Sequence, residues 1–288
     1  MAEKKFDPEK IIMDGCLISP FDGRDYDFRC ATGIKSAKDQ EYPTEFMISN
    51  TSKVYSQGST SMCVAFSLAE IKESQELLDQ QQRIRFSPGF IYANRDETME
   101  GMYIREGLKS LKADGVVTYD DFPVKGTCSH CQKKLAECEN LQEMFANAKG
   151  WRIGSYYRVY TLEEIKYTLM NIGPIIISVP CYTGWNYFSG KIVQAGKLRG
   201  YHAMVIVGWK NNDEIIVQNS WGTTWGNKGL GTFKWDEYPV VEAWAITDYE
   251  YDQNIKRKPW YYRIFLFFKN LIKFAIKMLT GKKKNVKS

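Results

Sequence analysis

The chain contains little histidine. Only His130 and His202 occur among its 288 residues, so a reaction that needs an imidazole base has two candidates. There is no internal repeat at solenoid period and no low-complexity stretch before the C-terminal tail, which excludes repeat scaffolds. The first ten residues are charged and lack the apolar run of a secretory signal peptide, so we expect no classical secretion.

Acidic residues are missing from the tail. Residues 253–288 hold eleven Lys or Arg and no Asp or Glu, so against the total of +5 the charge of residues 1–252 is −6. On a helical wheel the basic side chains share one arc, and aromatic and aliphatic side chains cover the remainder. This pattern predicts a basic amphipathic helix, and we expect residues 260–284 to bind an anionic membrane surface.

Other uses of the tail remain open. It could dock on the rest of the chain or on a protein partner. Crossing a bilayer is disfavoured because the apolar stretch 264–279 is only sixteen residues long and contains three Lys. Five consecutive apolar residues, 264–268, are unsuited to nucleic acid, and we predict no nucleic-acid partner.

The seven cysteines are odd in number and irregularly spaced. A chain of this size folds without disulfides, so a reducing compartment is the simpler expectation. Cys128, Cys131 and Cys138 could ligate zinc, form a disulfide, or be free thiols in a surface loop. A second CxxC pair, which would make the zinc signal strong, is missing. We predict no metal and no cofactor.

Hydrophobic periodicity separates a helical half from a strand-rich half. The first 45 residues are polar and turn-rich and predict an extended strap. Apolar spacing predicts a helix from Cys63 to Gln80, with its charged residues facing water. Those charged residues are Glu70, Lys72, Glu73 and Glu76.

Further helix signals follow the long helix. Ser87-Pro88 is a helix start, Ile104 to Ala113 reads as a helix that Asp114-Gly115 closes, and Thr161 opens a third helix through a capping box. Short β-rich runs follow at 175–179, 203–207, 214–217 and 232–235. Helices first and strands later predict an α+β protein with a helical lobe and a β lobe.

Cys63 and His202 are the candidate reactive pair. A cysteine becomes a strong nucleophile as the thiolate, which a helix N-terminus and a nearby imidazolium both favour. Cys63 lies at the predicted start of the long helix. His202 lies at a strand entry, Gly-Tyr-His-Ala over residues 200–203, and is the better base candidate.

Two longer stretches extend this pattern. Residues 54–67 read Val-Tyr-Ser-Gln-Gly-Ser-Thr-Ser-Met-Cys-Val-Ala-Phe-Ser, and residues 218–226 read Gln-Asn-Ser-Trp-Gly-Thr-Thr-Trp-Gly. Together with His202 they resemble the papain family of cysteine proteases, in the order and spacing expected of its Cys, His and Asn. The resemblance covers about residues 20–250 and is nearest to bacterial and viral members.

The resemblance implies a role for each matching residue. Cys63 would attack the substrate carbonyl, His202 would move the proton, and Asn219 would orient the imidazole. Gln57 and the Cys63 backbone N–H would form the oxyanion hole. Trp221 and Trp225 would shield the bond between His202 and Asn219 from water.

The resemblance also implies a substrate groove. Gly101 would hydrogen-bond an extended substrate, while Met102 stands where the family has a second glycine. Tyr201 and Ile104 would border the pocket for the residue before the scissile one, with a hydrophobic preference.

Further departures concern the residues around the nucleophile. Thr60 replaces a disulfide cysteine, Met62 a small residue and Val64 an aromatic one.

The resemblance predicts a papain-like two-lobe fold with a helical left lobe and an antiparallel β-barrel-like right lobe. We expect a strap over residues 1–45, a catalytic domain over 46–250 and the tail over 251–288. The resemblance predicts hydrolysis of peptide bonds in a peptide or protein through a thiolate-imidazolium pair of Cys63 and His202, oriented by Asn219. The alternatives are a catalytically altered binding module and an acyltransferase. The expected location is intracellular or virion-associated, at the periphery of a membrane.

Overall fold

A computed structural model describes residues 15–28, 41–79, 83–95, 100–124, 128–185 and 187–248, with the backbone alone for 128–130. The predicted amphipathic tail lies outside the described residues, as does Cys30. No helix in the described ranges is both long enough and apolar enough to cross a membrane. The three segment boundaries therefore stay a prediction.

The helices lie mainly in the first half of the chain. They are α1 (Cys63–Asp79), α2 (Pro88–Ala93), α3 (Ile104–Ala113), α4 (Cys128–Ala136), α5 (Leu141–Ala148) and α6 (Leu162–Asn171). Their ends follow local chemistry: the Ser87 hydroxyl accepts from the Phe90 N–H at 3.0 Å, and Thr161 and Glu164 form a complete capping box. Gly115, just after α3, has φ +79°, which favours glycine.

The strands build one large sheet and one small one. They are β1 (Cys16–Leu17), β2 (Phe46–Met47), β3 (Met102–Tyr103), β4 (Ile153–Arg158), β5 (Ile175–Tyr182), β6 (Leu198–Lys210), β7 (Glu214–Gln218), β8 (Leu230–Lys234) and β9 (Glu242–Asp248). The large sheet is antiparallel in the order β4-β9-β5-β6-β7-β8, and β2 pairs with β6. The small sheet pairs β1 with β3 in parallel.

Strand β6 joins the two halves because both of its faces are buried. Ala203, Val205 and Val207 belong to the apolar cluster of the helical half. Met204 and Ile206, which alternate with them, belong to the cluster of the sheet half. This is the period-2 alternation of a strand between two cores.

The predicted α+β, papain-like fold is confirmed, with one refinement and one correction. Within the described residues the sheet follows an open path with no pairing between β4 and β8, so it is not a closed barrel. The prediction that the charged residues of α1 face water is wrong. Glu70, Lys72, Glu73 and Glu76 are at most 3% exposed, because α1 packs against strands β5 and β6 and helices α2 and α3.

Candidate active site

Cys63 is the first residue of α1 and is fully buried. The helix opens as the Phe66 N–H donates to the Met62 carbonyl at 2.9 Å, and its first turn contains no acidic residue. The unpaired N–H groups of a helix start carry partial positive charge, so this position favours a negatively charged sulfur. Cys63 and Ala203 lie in the same apolar cluster, and Ala203 is the neighbour of His202 in sequence.

His202 and Asn219 form a buried pair. The His202 Nε2 and Asn219 Oδ1 atoms are 2.8 Å apart, which joins β6 to the residue that follows β7. His202 Nδ1 is buried and makes no hydrogen bond. The Asn219 oxygen can only accept, so Nε2 carries the proton and Nδ1 has its lone pair available.

Burial affects the charge of this imidazole. It lowers the pKa of His202 to about 4, and the hydrogen bond to Asn219 acts in the opposite direction with a smaller effect. The ring is therefore neutral at pH 7 in this structure.

Two tryptophans contact the imidazole, and a third packs behind one of them. The Trp221 and His202 ring centroids are 4.8 Å apart with planes tilted by 37°, and Trp225 packs edge-on against Trp221 at 5.5 Å. Both indoles are buried, and their shielding role stays a prediction. Trp185 was missed by the sequence analysis, and its ring lies 6.3 Å from that of His202.

Gln57 is held by a network before α1. Its backbone N–H donates to the Ser220 carbonyl at 2.8 Å. The Ser220 hydroxyl donates to Gln57 Oε1 at 2.6 Å, and Gln57 Nε2 donates to the Thr60 carbonyl at 2.7 Å. The Thr60 hydroxyl in turn donates to the Gln57 carbonyl at 2.7 Å. The Thr60 carbonyl takes one of the two Nε2 hydrogens of Gln57. The second hydrogen is therefore available to another acceptor.

Two of the predicted groove residues, Gly101 and Met102, lie beside residues 15–17. Gly101 has φ +100° and its N–H donates to the Tyr92 hydroxyl at 2.9 Å. The Met102 N–H donates to the Gly15 carbonyl at 3.0 Å, and the Met102 side chain is buried. Ile104 belongs to the cluster that contains Cys63, and half-buried Tyr201 packs against that cluster.

A buried carboxylate, Glu242, was missed by the sequence analysis. It accepts from the Ser19 N–H at 2.5 Å, from Arg158 at 3.1 Å and from the Trp244 indole at 3.0 Å. It lies at the start of β9, and Glu242 alone gives no sequence motif. Only the fold brings it to the strap.

The cysteine cluster lies on and after α4. Cys131 is buried and Cys138 half-buried, while the side chains of Cys128 and His130 lie outside the description. Among the described residues no group of three His, Cys, Asp or Glu side chains could hold a metal ion.

Two thirds of the chain matches a known family. Residues 43–242 match the model of the papain family of cysteine proteases. The match includes the start of α1, the His202–Asn219 pair and Gln57. The chain therefore belongs to the papain family, a class of cysteine proteases.

Individual relatives agree with this assignment. A cysteine protease of Blomia tropicalis is 27% identical over 62% of this chain and 56% of its own length. Cathepsin B-like cysteine proteinase 1 of Haemonchus contortus is 29% identical over 34% of this chain and 30% of its own length. The chain thus spans about half or less of these curated relatives.

Solved structures share the fold at low identity. Xylellain, a cysteine protease from Xylella fastidiosa, superposes with a TM-score of 0.71 at 24% identity, covering 82% of this chain and 96% of its own. A procathepsin B from Trypanosoma congolense gives 0.65 at 17% identity over 83% of this chain and 87% of its own. At these identities the likeness supports the fold alone.

Proposed function

We propose that this chain hydrolyses peptide bonds with Cys63 as nucleophile, His202 as base and Asn219 as the residue that orients the base. The observation that carries the proposal is the buried His202–Asn219 hydrogen bond at 2.8 Å, which leaves Nδ1 with a free lone pair. Family membership supports the same assignment.

The reaction follows from these groups. Nδ1 of His202 takes the Cys63 proton, and the thiolate attacks the substrate carbonyl carbon. The Cys63 N–H and the remaining Gln57 Nε2 hydrogen donate to the developing oxyanion. The imidazolium then protonates the leaving amine, which gives an acyl-enzyme. Water, deprotonated by the same imidazole, releases the carboxylic acid and restores the thiol.

The nucleophile can be tested with a matched cysteine. Cys63→Ala is expected to abolish cleavage of a peptide library and the mass increase caused by a thiol-reactive peptidyl epoxide. Cys138→Ala, which removes a half-buried thiol outside the site, is expected to keep both. Cleavage that persists in Cys63→Ala would refute the proposal. An amine-linked product in the presence of added amine would favour acyl transfer instead.

We also propose that residues 260–284 hold the enzyme at an anionic membrane surface. The supporting observation is the sequence pattern of basic and apolar faces, with three consecutive lysines at 282–284 that add about 1 kcal/mol each near such a surface. The full chain is expected to float with vesicles that contain phosphatidylserine and not with neutral vesicles. Failure to float with either would reject the membrane role.

A further inference from the structure

The hydrogen bond to Asn219 fixes the His202 ring at one atom. It joins His202 Nε2 to the Asn219 side-chain oxygen, and a ring held at one atom can still swing about that contact. The proposed reaction needs Nδ1 to stay directed at the Cys63 sulfur while a proton moves between them. The packing around the rest of the imidazole therefore matters for the reaction.

Trp185 packs both on the imidazole and on the ring that covers it. The centroids of the Trp185 and His202 rings are 6.3 Å apart, and their planes meet at 69°. Trp185 also packs on Trp221 at 5.8 Å, and Trp221 lies 4.8 Å from the imidazole. Edge-on and tilted contacts at these distances are favourable for aromatic rings. A change in the orientation of Trp185 would alter the contacts of His202 directly and through Trp221.

The orientation of Trp185 is set by Tyr238. The Trp185 indole N–H donates to the Tyr238 hydroxyl oxygen at 2.9 Å, and the two residues are 2% and 4% exposed. An indole carries its one donor on one edge of the ring. Turning the ring over would leave this buried donor without its acceptor, which is costly away from water. The hydrogen bond therefore selects one orientation of the indole.

Tyr238 is itself bound to the strand beside His202. Its hydroxyl donates to the Pro180 carbonyl. Pro180 lies in β5, where the preceding residue, Val179, pairs with His202 of β6. The hydroxyl thus donates to the sheet and accepts from the indole, and hydrogen bonds in such a chain polarise one another. The support for the imidazole begins on the same sheet that carries His202.

Two further aromatic rings contact the Tyr238 ring. The Phe233 centroid lies 5.4 Å away, and the Tyr182 ring packs edge-on at 6.5 Å. These contacts involve the ring and not its hydroxyl. Removal of the hydroxyl alone would therefore leave the packing of the ring in place.

We propose that Tyr238 is a positioning residue, which holds the His202 imidazole in the orientation that the reaction needs by fixing the Trp185 indole. The inference rests on the proposed function, in which His202 is the base. It adds a hydroxyl that acts on the base through a second side chain. Asn219 and Tyr238 then restrain the same ring by different contacts.

The first test removes one hydroxyl and keeps the ring. Tyr238→Phe is expected to lower kcat for a peptide substrate about fivefold and to leave KM nearly unchanged. The factor corresponds to the loss of one neutral hydrogen bond, about 1 kcal/mol. Tyr182→Phe is the matched control, because its hydroxyl accepts from exposed Gln194 at 3.2 Å. The control should match the wild type in both constants.

The pH dependence separates positioning from a general loss of stability. Burial lowers the pKa of His202 to about 4, against an ordinary value of 6.5. A loosened Trp185 admits water to the imidazole, so the pKa of His202 should rise toward 6.5 in Tyr238→Phe. The acid limb of the kcat/KM profile should move to higher pH with it. A variant that is only less stable would keep the limb where the wild type has it.

A second background tests whether Tyr238 acts through the indole. Trp185→Phe keeps an aromatic ring beside His202 and removes the N–H that Tyr238 accepts. Tyr238→Phe in that background should cause no further loss of kcat and no further shift of the acid limb. An equal loss in both backgrounds would overturn the inference. If Tyr238→Phe alone does not fold, a Trp185→Phe variant with the kcat and acid limb of the wild type overturns it as well.

An NMR titration separates this inference from the proposed function. The chain has two histidines, so the signals lost in His202→Gln identify the His202 ring. A raised His202 pKa in Tyr238→Phe, in a chain whose Cys63 is inert, would reject the proposed function and support the orienting contact. An unchanged pKa and an unchanged kcat in an active chain would reject the role of Tyr238 and leave the proposed function standing.

Discussion

At the scale of single residues, the orientation of the Gln57 amide is set by its neighbours. An amide oxygen accepts and an amide nitrogen donates. The Ser220 hydroxyl binds the oxygen at 2.6 Å and the Thr60 carbonyl binds the nitrogen at 2.7 Å. A flipped amide would place its oxygen against the Thr60 carbonyl, so that two acceptors would be in contact. Ser220 is therefore a positioning residue for the proposed oxyanion donor.

This predicts a coupled pair of variants. Gln57→Ala is expected to lower kcat/KM about 100–1000-fold, the usual cost of one oxyanion donor. Ser220→Ala should lower kcat by a smaller factor and leave KM nearly unchanged. In the Gln57→Ala background it should have little further effect, because the side chain that it positions is gone. Steady-state kinetics on a peptide substrate measure all three.

A control for this cycle is Ser110→Ala, which removes a hydroxyl that accepts from Asn94 on another part of the helical half. It should leave kcat unchanged in both backgrounds. If Ser220→Ala costs the same factor with and without Gln57, Ser220 does not act through that side chain.

At the scale of elements, α1 is held by buried charges. Lys72 pairs with Glu76 at 2.6 Å and with Asp248, the last residue of β9, at 2.5 Å, and its side chain is 2% exposed. The ion pair between Lys72 and Asp248 connects α1, the helix that begins at Cys63, to strand β9 of the large sheet. Two carboxylates share one ammonium, so removal of the lysine takes a buried cation away from both.

Lys72→Met is accordingly expected to lower the free energy of unfolding by about 3–5 kcal/mol, the cost of stranding a buried charge. Lys109→Met is the matched change on α3, where Lys109 and Glu106 are 47% and 34% exposed. It should cost less than about 1 kcal/mol. Urea unfolding of each variant measures the difference. Equal losses would mean that the buried network contributes nothing specific.

Elements with local signals were predicted well. The bounds of α3 and the capping box of α6 were found because caps and breakers act within a few residues. The burial of the charged residues of α1 was missed, because charged side chains on one face of a helix predict contact with water. The burial of Lys72 could not be predicted without knowing that Asp248, far along the chain, pairs with it. Strands β4 and β9 were missed as well, because their pairing, Tyr156 with Ile246 for example, spans most of the sheet half.

At the scale of the whole molecule, the site depends on contacts that are remote in sequence. The sequence motifs were enough to predict Cys63, His202, Asn219 and Gln57 as site residues. For each of them, the chemistry of the residue type and its immediate neighbours supports the predicted role. No local signal could predict that Gly15 bonds to Met102 or that Ser19 reaches Glu242. These contacts depend on the packing of both halves.

Burial of the site also makes the stability of the whole fold depend on pH. His202 has a pKa of about 4 in the fold, against 6.5 for the free side chain. As the pH falls below 6.5, the unfolded chain binds this proton and the folded chain does not, so the free energy of unfolding decreases. The loss continues until the folded state also binds the proton near pH 4, and it amounts to about 3 kcal/mol at about 1.4 kcal/mol per pKa unit.

His202→Gln isolates this contribution, because it removes the titrating group and keeps an amide in its place. Urea unfolding of the wild type and the variant at pH 7 and pH 4 gives two differences in free energy, in which other titrating groups cancel. The wild type should lose about 3 kcal/mol more than the variant on acidification. The opposite trend, with the wild type gaining relative to the variant, would mean that the fold holds the imidazole in its charged form. The buried site would then already contain an ion pair, and burial would not set the resting charge of His202.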